Sequence, residues 1–125
     1  MRIALAQLNP TVADIAAIRQ DMLAAAQDAK DQNADFIVYS ELMSIGYPPR
    51  DLLDRKRLVF AQWTMVQDLA KELPLPAVIG CVEPMYDERL SPHLANAAVV
   101  VENGEITASY HKRLLPTYDL SLIHI

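Results

Sequence analysis

Apolar positions along the chain change period several times, and each change marks a boundary between strand and helix. Residues 2–8 present two faces, Ile3/Leu5/Gln7 and Ala4/Ala6/Leu8, that are both largely apolar. This pattern predicts a strand covered on both sides, in an interior sheet position. After Asn9-Pro10-Thr11, apolar residues recur at Ile15, Ile18, Met22, Ala25, Ala26 and Ala29, with Arg19, Gln20, Asp28 and Lys30 on the other side. The spacing predicts an amphipathic helix that ends near Asn33. Asp35 to Tyr39 is short, apolar and β-rich, so strand, helix and strand make a βαβ unit with a right-handed crossover. Gly46, Pro48 and Pro49 force an irregular path before Asp51–Leu53 turns helical. A second amphipathic helix carries Phe60, Trp63, Val66, Ala70 and Leu73 on its apolar face and stops at Leu73-Pro74-Leu75-Pro76. Ala77 to Val82 is a third buried strand and Glu83 to Pro92 a loop. Asn103-Gly104 then joins two strands, Ala97–Glu102 and Glu105–Tyr110, as a hairpin, because both turn residues accept positive φ. The expected class is α/β with a mixed sheet.

Composition narrows the partners. The 125 residues carry 11 basic and 16 acidic side chains, a net charge of −5, which excludes a strongly basic nucleic-acid binder. Hydrophobic residues make up 52% of the chain; with Gly counted in place of Tyr the fraction is about 50%, the upper edge of ordinary globular composition. Neither Ile3–Ala13 nor Leu90–Val101, the longest uncharged stretches, reaches the roughly 18 apolar residues of a membrane span. The N-terminus lacks the small-residue cleavage site of a signal peptide. No membrane association and a cytoplasmic location are expected. A single cysteine and three scattered histidines make no disulfide and no metal-ligand cluster.

Two charged residues sit where chemistry gathers. Glu41 follows a strand's carboxyl end, the usual ligand-binding edge of α/β sheets. Its apolar, Gly/Pro-constrained surroundings predict partial desolvation and a raised pKa, suited to a general base; the competing reading is a solvated loop acid. Lys112 also ends a strand and could present an ammonium to developing negative charge, or be an ordinary surface lysine. Cys81 lies within Val78-Ile79-Gly80-Cys81-Val82, a setting that buries a thiol and lowers its reactivity. His93, His111 and His124 pair with no nucleophile, and Phe60 and Trp63 are expected in the core.

Together, Met1–Val12, Tyr39-Ser40-Glu41-Leu42, Gly46-Tyr47-Pro48-Pro49-Arg50-Asp51-Leu52-Leu53, Asn96-Ala97-Ala98 and Tyr110-His111-Lys112-Arg113-Leu114-Leu115-Pro116-Thr117-Tyr118 resemble the N-terminal glutaminase domain of glutamine-dependent NAD synthetases. That domain is a branch of the nitrilase (carbon-nitrogen hydrolase) superfamily. The likeness covers residues 1–119, with 120–125 a non-matching tail, and the Gly-Tyr-Pro-Pro-x-Asp-Leu-Leu stretch favours this branch. It implies the N-terminal part of an α-β-β-α sandwich and a Glu-Lys-Cys catalytic set. Carried over by position, Glu41 matches the base, Lys112 the cation and Tyr118 a residue that holds the substrate, L-glutamine. The implied reaction is glutamine amide hydrolysis, its ammonia passing to ATP-dependent amidation of deamido-NAD to NAD. No cofactor or metal is implied in this segment; ATP and magnesium would belong to a synthetase domain downstream, in a homo-oligomeric parent.

Departures accompany the likeness. Ser40 stands where the family usually has Pro, which loses a fixed φ just before the base. The family's nucleophilic cysteine follows the lysine motif and would fall beyond residue 125, so the expectation is a truncated piece that is inactive alone. The alternatives are a non-catalytic, partner-binding fragment and a general nitrilase-family amidase.

Overall fold

The computed structural model describes residues 1–86 and 92–113. Strands β1 (Ile3–Ala6), β2 (Phe36–Tyr39), β3 (Ala77–Tyr86), β4 (Pro92–Glu102) and β5 (Glu105–His111) form one sheet in the order β1-β2-β3-β4-β5. The first three are parallel; β4 is antiparallel to both neighbours, so β5 again runs in the direction of β1 to β3. Helix α1 (Ile15–Asp31) links β1 to β2. Helix α2 (Lys56–Glu72), preceded by a 3-10 turn at Arg50–Asp54, links β2 to β3. Because strand order does not reverse, two right-handed crossovers put both helices on one face, and α1 and α2 do share one buried cluster with the sheet.

Local chemistry sets the ends of α1. The Asp14 side chain accepts the Ala17 backbone N–H at 3.2 Å as N-cap, and Lys30 sits in the last turn near the negative end of the helix. Asn33, where the helix was expected to stop, takes a left-handed φ of 63°, a conformation that asparagine tolerates well. Ile18, Met22, Ala26 and Ala29 form the buried stripe of α1 and meet Ile37, Ile79 and Val99 of the sheet. The larger of these side chains, Ile18, Met22, Ile37, Ile79 and Val99, each contribute about 1.5–3 kcal/mol by leaving water. Tyr39 adds a polar tie: its hydroxyl donates to the Met22 carbonyl at 2.6 Å in the buried interior, and burial raises its pKa.

Three details depart from the sequence pattern. Within the sheet that the described residues form, β1 stands at the edge, with Ile3 48% and Leu5 70% exposed; an apolar face does not reveal which chain segment covers it. Of the expected loop from Glu83 to Pro92, the described residues Glu83–Tyr86 and Pro92 are strand, since β3 runs to Tyr86 and β4 starts at Pro92 with continuous pairing; 87–91 lie outside the described residues. On α2, Phe60 is 40% exposed, whereas Val59, Gln62, Val66 and Leu69 are buried. The buried stripe is turned by about one residue because it includes a glutamine that a purely apolar count skips. The hairpin holds as expected: Asn103 and Gly104 have φ of 52° and 82°, as a type I′ turn requires.

The second face of the sheet carries Leu5, Val38, Val78, Ala98 and Tyr110, and neither helix packs on it: Leu5 and Tyr110 are 70% and 66% exposed. No helix among the described residues is long and apolar enough to cross a membrane. An apolar sheet face beside an unpaired edge strand is adhesive. The 125-residue chain is therefore expected to self-associate, and Leu5→Lys with Tyr110→Lys to shift it towards monomer. Sedimentation at several concentrations checks this; a wild-type chain that stays monomeric throughout contradicts it.

Candidate active site

Glu41 lies two residues beyond the end of β2, and Lys112 directly follows β5. Because β2 and β5 run the same way, both residues emerge at one edge of the sheet. Two strands separate them, however, and three inter-strand steps of about 4.8 Å make roughly 14 Å. The chain closes this gap by carrying residues 40–44 across β3. The Ser44 N–H donates to the Gly80 carbonyl at 3.1 Å, and a tight turn forms as Met43 N–H donates to Ser40 O and Gly46 N–H to Leu42 O. A Cβ on Gly80 would lie 2.2 Å from the Ser40 oxygen, 2.7 Å from the Leu42 nitrogen and 2.9 Å from Glu41 Cα. Only glycine allows the crossing.

The crossing loop is held from below. Leu42 adopts a left-handed φ of 54°, a strained state that persists only where the surroundings over-determine it. Its side chain is buried with Ile45, Leu53, Val59 and Val82. Beneath, Gln62 of α2 is fully buried: its oxygen accepts from the Ser44 hydroxyl and from Val82 N–H, and its nitrogen donates to the carbonyls of Val59 and Val82. Glutamine's two donors and its acceptor oxygen are thereby all used. The sequence pattern did not single out Gln62, whose only signal is a polar residue at a helical position between two buried ones.

Over β4 the loop delivers Glu41 to Lys112 and Asn96. Lys112 Nζ is 2.8 Å and Asn96 Nδ2 2.6 Å from Glu41 Oε1. Asn96 is buried, and its carbonyl accepts the Lys112 backbone N–H at 2.8 Å. Burial alone would raise the Glu41 pKa, but hydrogen bonds from Lys112 and Asn96 and the lysine charge outweigh it and hold the carboxyl below its usual 4.5. The expectation of a raised pKa is thus corrected: the loop is apolar, but its carboxylate meets two donors. The three side chains form the polar end of a cleft of about 450 Å³ floored by Val78, Ala98 and Tyr110. Apolar walls with a few convergent polar groups are the usual form of a small-molecule site.

Cys81 is on the other face of the sheet, fully buried against the helices, with its thiol pushed up to about 12 by burial and by the neighbouring Glu83 carboxylate. It cannot reach Glu41. Glu83, Ser109 and His111 form their own cluster on that helix face, His111 Nε2 lying 3.1 Å from Glu83 Oε2. Tyr118 lies outside the described residues. Among the described residues, no group of three or more His, Cys, Asp or Glu is placed to hold a metal ion.

A parallel-led α/β layer with a Glu–Lys pair at the carboxyl edge of its strands defines a class, and comparison with known proteins agrees. The carbon-nitrogen hydrolase family model matches residues 2–123. The chain belongs to that family. Within it, the chain is 39% identical over 122 residues to a glutamine-dependent NAD(+) synthetase from Synechocystis, covering 94% of this chain and 22% of that protein. A namesake from Acinetobacter baylyi is 36% identical over 119 residues, covering 95% and 21%. The chain thus spans about a fifth of the length of these curated relatives. Among solved structures, glutamine-dependent NAD+ synthetase from Acinetobacter baumannii superposes with a TM-score of 0.86 at 31% identity, covering 98% of this chain and 23% of that one. A variant of an amidase of the nitrilase superfamily from Nesterenkonia superposes with a TM-score of 0.82 at 24% identity, covering 100% and 47%, and shares the fold.

Two outcomes follow from this geometry. Gly80→Ala should destabilise the fold by about 2–3 kcal/mol, as overpacking against backbone does, whereas Gly104→Ala, with nothing within 4 Å of its Cβ, should cost only its positive-φ strain of about 1 kcal/mol. Urea unfolding of both variants checks the order, and equal losses would contradict it. Glu41 has a depressed folded pKa, so its pairing stabilises the fold above 4.5 and is lost as pH falls through the lower folded value. The difference in urea midpoint between wild type and Glu41→Gln should be open at neutral pH and close under acid; a difference independent of pH contradicts the pairing.

Proposed function

We propose that this chain supplies the base and the cation of a glutamine amidohydrolase site, whose ammonia serves ATP-dependent amidation of deamido-NAD to NAD. The observation that carries the reading is the 2.8 Å contact of Glu41 with Lys112 at the polar end of an apolar cleft, in a chain of the carbon-nitrogen hydrolase family. The named relatives, at 36–39% identity, favour glutamine over other amides.

In the proposed reaction Glu41, ionised at neutral pH, takes the proton of a thiol. The thiolate attacks the side-chain amide carbon of glutamine, and the C=O electron pair moves to oxygen. Protonation neutralises Glu41 and weakens its hold on Lys112, which frees the ammonium to bond the oxyanion. The carbonyl re-forms as the C–N bond breaks, and Glu41 returns its proton to the departing nitrogen, giving ammonia and a glutamyl thioester. Glu41 then deprotonates a water that attacks the thioester, and the thiol leaves with that proton. Cys81 is not the thiol, since it faces the helices on the far side of the sheet. Tyr118 is proposed to hold the glutamine, as the family likeness implies. ATP, magnesium and deamido-NAD would be bound by a separate synthetase domain.

In the complete enzyme that carries this segment, Glu41→Gln and Lys112→Ala should each reduce glutamine-dependent NAD synthesis by at least about 100-fold, while synthesis from free ammonia persists. The 125 residues alone should release no ammonia from glutamine. Retained glutamine use in either variant, or ammonia release from the short chain that Cys81→Ser abolishes, overturns the proposal.

A further inference from the structure

Both donors that reach Glu41 bond the same oxygen. Lys112 Nζ and Asn96 Nδ2 converge on Oε1 at 2.8 and 2.6 Å, and among the described residues no donor bonds Oε2. A carboxylate gripped at one oxygen by two donors keeps its other lone pairs for an incoming proton. Asn96 is 4% exposed and lies opposite Val82 in the β3–β4 ladder, so its side chain has little freedom. Val82 is in turn bonded by Gln62, the residue that also accepts from Ser44 in the Glu41 loop. The Asn96 carbonyl, meanwhile, accepts the Lys112 backbone N–H at 2.8 Å. One residue on β4 therefore touches both members of the charged pair, one through its side chain and the other through its main chain.

We propose that Asn96 is a positioning residue of this site: by occupying Oε1 of Glu41 together with Lys112, it directs Oε2 into the cleft as the oxygen that takes the proton. The assignment rests on the glutaminase reading above. The Asn96 amide cannot itself accept the thiol proton at neutral pH, and its nitrogen is committed to Glu41, so its effect passes through the base. Other titratable groups lining the cleft are Tyr39, Tyr110, His111 and Lys112; of these, only Lys112 has a hydrogen bond to Glu41 among the described residues, the Tyr39 hydroxyl donating to the Met22 carbonyl and His111 Nε2 lying against Glu83.

The test uses the complete glutamine-dependent enzyme, with Asn96→Ala, the isosteric Asn96→Asp and, in parallel, Glu41→Gln. Losing the amide donor should lower kcat with glutamine about 10- to 100-fold, the usual cost of a catalytic group set an ångström out of place, while KM changes less than about twofold. The acidic limb of the kcat/KM profile should move to higher pH in Asn96→Ala, because one of the bonds that favour the ionised carboxylate is gone. It should move further in Asn96→Asp, where a second carboxylate faces Glu41. Should Asn96→Ala fail to give the wild-type circular-dichroism spectrum, Asn96→Asp, which preserves volume, decides alone. A kcat within twofold of wild type, or a loss of kcat with an unmoved acidic limb, overturns the role of Asn96. Retained glutamine use in Glu41→Gln overturns instead the glutaminase reading on which it rests.

Discussion

The backbone of residues 40–42 passes over β3 at a point where no side chain fits, and the site depends on that crossing. Strand β2 pairs with β3 only at Ile37↔Ala77 and Val38↔Val78. Beyond Val78, β3 continues for eight residues with no strand on that side among the described residues, a stretch of unpaired backbone that must find donors and acceptors. The chain meets this demand with irregular structure: Ser44 N–H serves the Gly80 carbonyl, and the Gln62 side chain serves both backbone groups of Val82. The loop that caps this edge is the loop that carries Glu41. Satisfying a sheet edge and placing a carboxylate are thus one structural solution, with Gly80 at its centre.

Electrostatics complete the placement. Glu41 and Lys112 side chains are 42% and 38% exposed, a level at which an isolated ion pair contributes little to stability. Its importance here is directional. Lys112 is held through its own backbone N–H by the Asn96 carbonyl, and the Asn96 amide meets the same carboxylate oxygen as the lysine. A pair fixed at both ends loses less entropy on forming than two free surface chains. The carboxyl consequently stays ionised despite the apolar loop around it.

How much of this the sequence revealed follows from the range of each interaction. The βαβ order, the α1 stripe and the Asn103-Gly104 turn were legible because they rest on periodicity or on the φ preference of single residues. Glu41 and Lys112 were marked by their positions at strand ends, and their union by family likeness; the spacing of 71 residues between them holds no local signal. Phe60 and Gln62 were misjudged or missed because hydrophobic counting assigns a glutamine to water, whereas backbone left unpaired on β3 draws it inside. The direction of the Glu41 shift could not be read from its neighbours in the chain, since the two donors that decide it come from β4 and β5. No sequence pattern distinguishes Gly80 within Val78-Ile79-Gly80-Cys81-Val82; only the distance from its Cβ position to Ser40 and Glu41 shows what it admits.

The uncovered sheet face and the site are the same side of the molecule. Val78, Ala98 and Tyr110 floor the cleft that ends at Glu41, Asn96 and Lys112, while the helices enclose the opposite face, with Cys81 among them. Whatever covers Tyr110, a substrate or a protein surface, therefore also removes water from the Glu41–Lys112 pair. Desolvation already acts on Glu41 as the largest single influence and in the upward direction. Covering the cleft strengthens that influence, and it strengthens the attraction to Lys112 as the local dielectric falls. The two effects oppose each other in the pKa but cooperate in geometry: with water removed, the lysine and asparagine hold the carboxylate in place more firmly. A half-exposed ion pair of modest worth in the open chain thus becomes a strongly coupled, fixed pair once the face above it is closed.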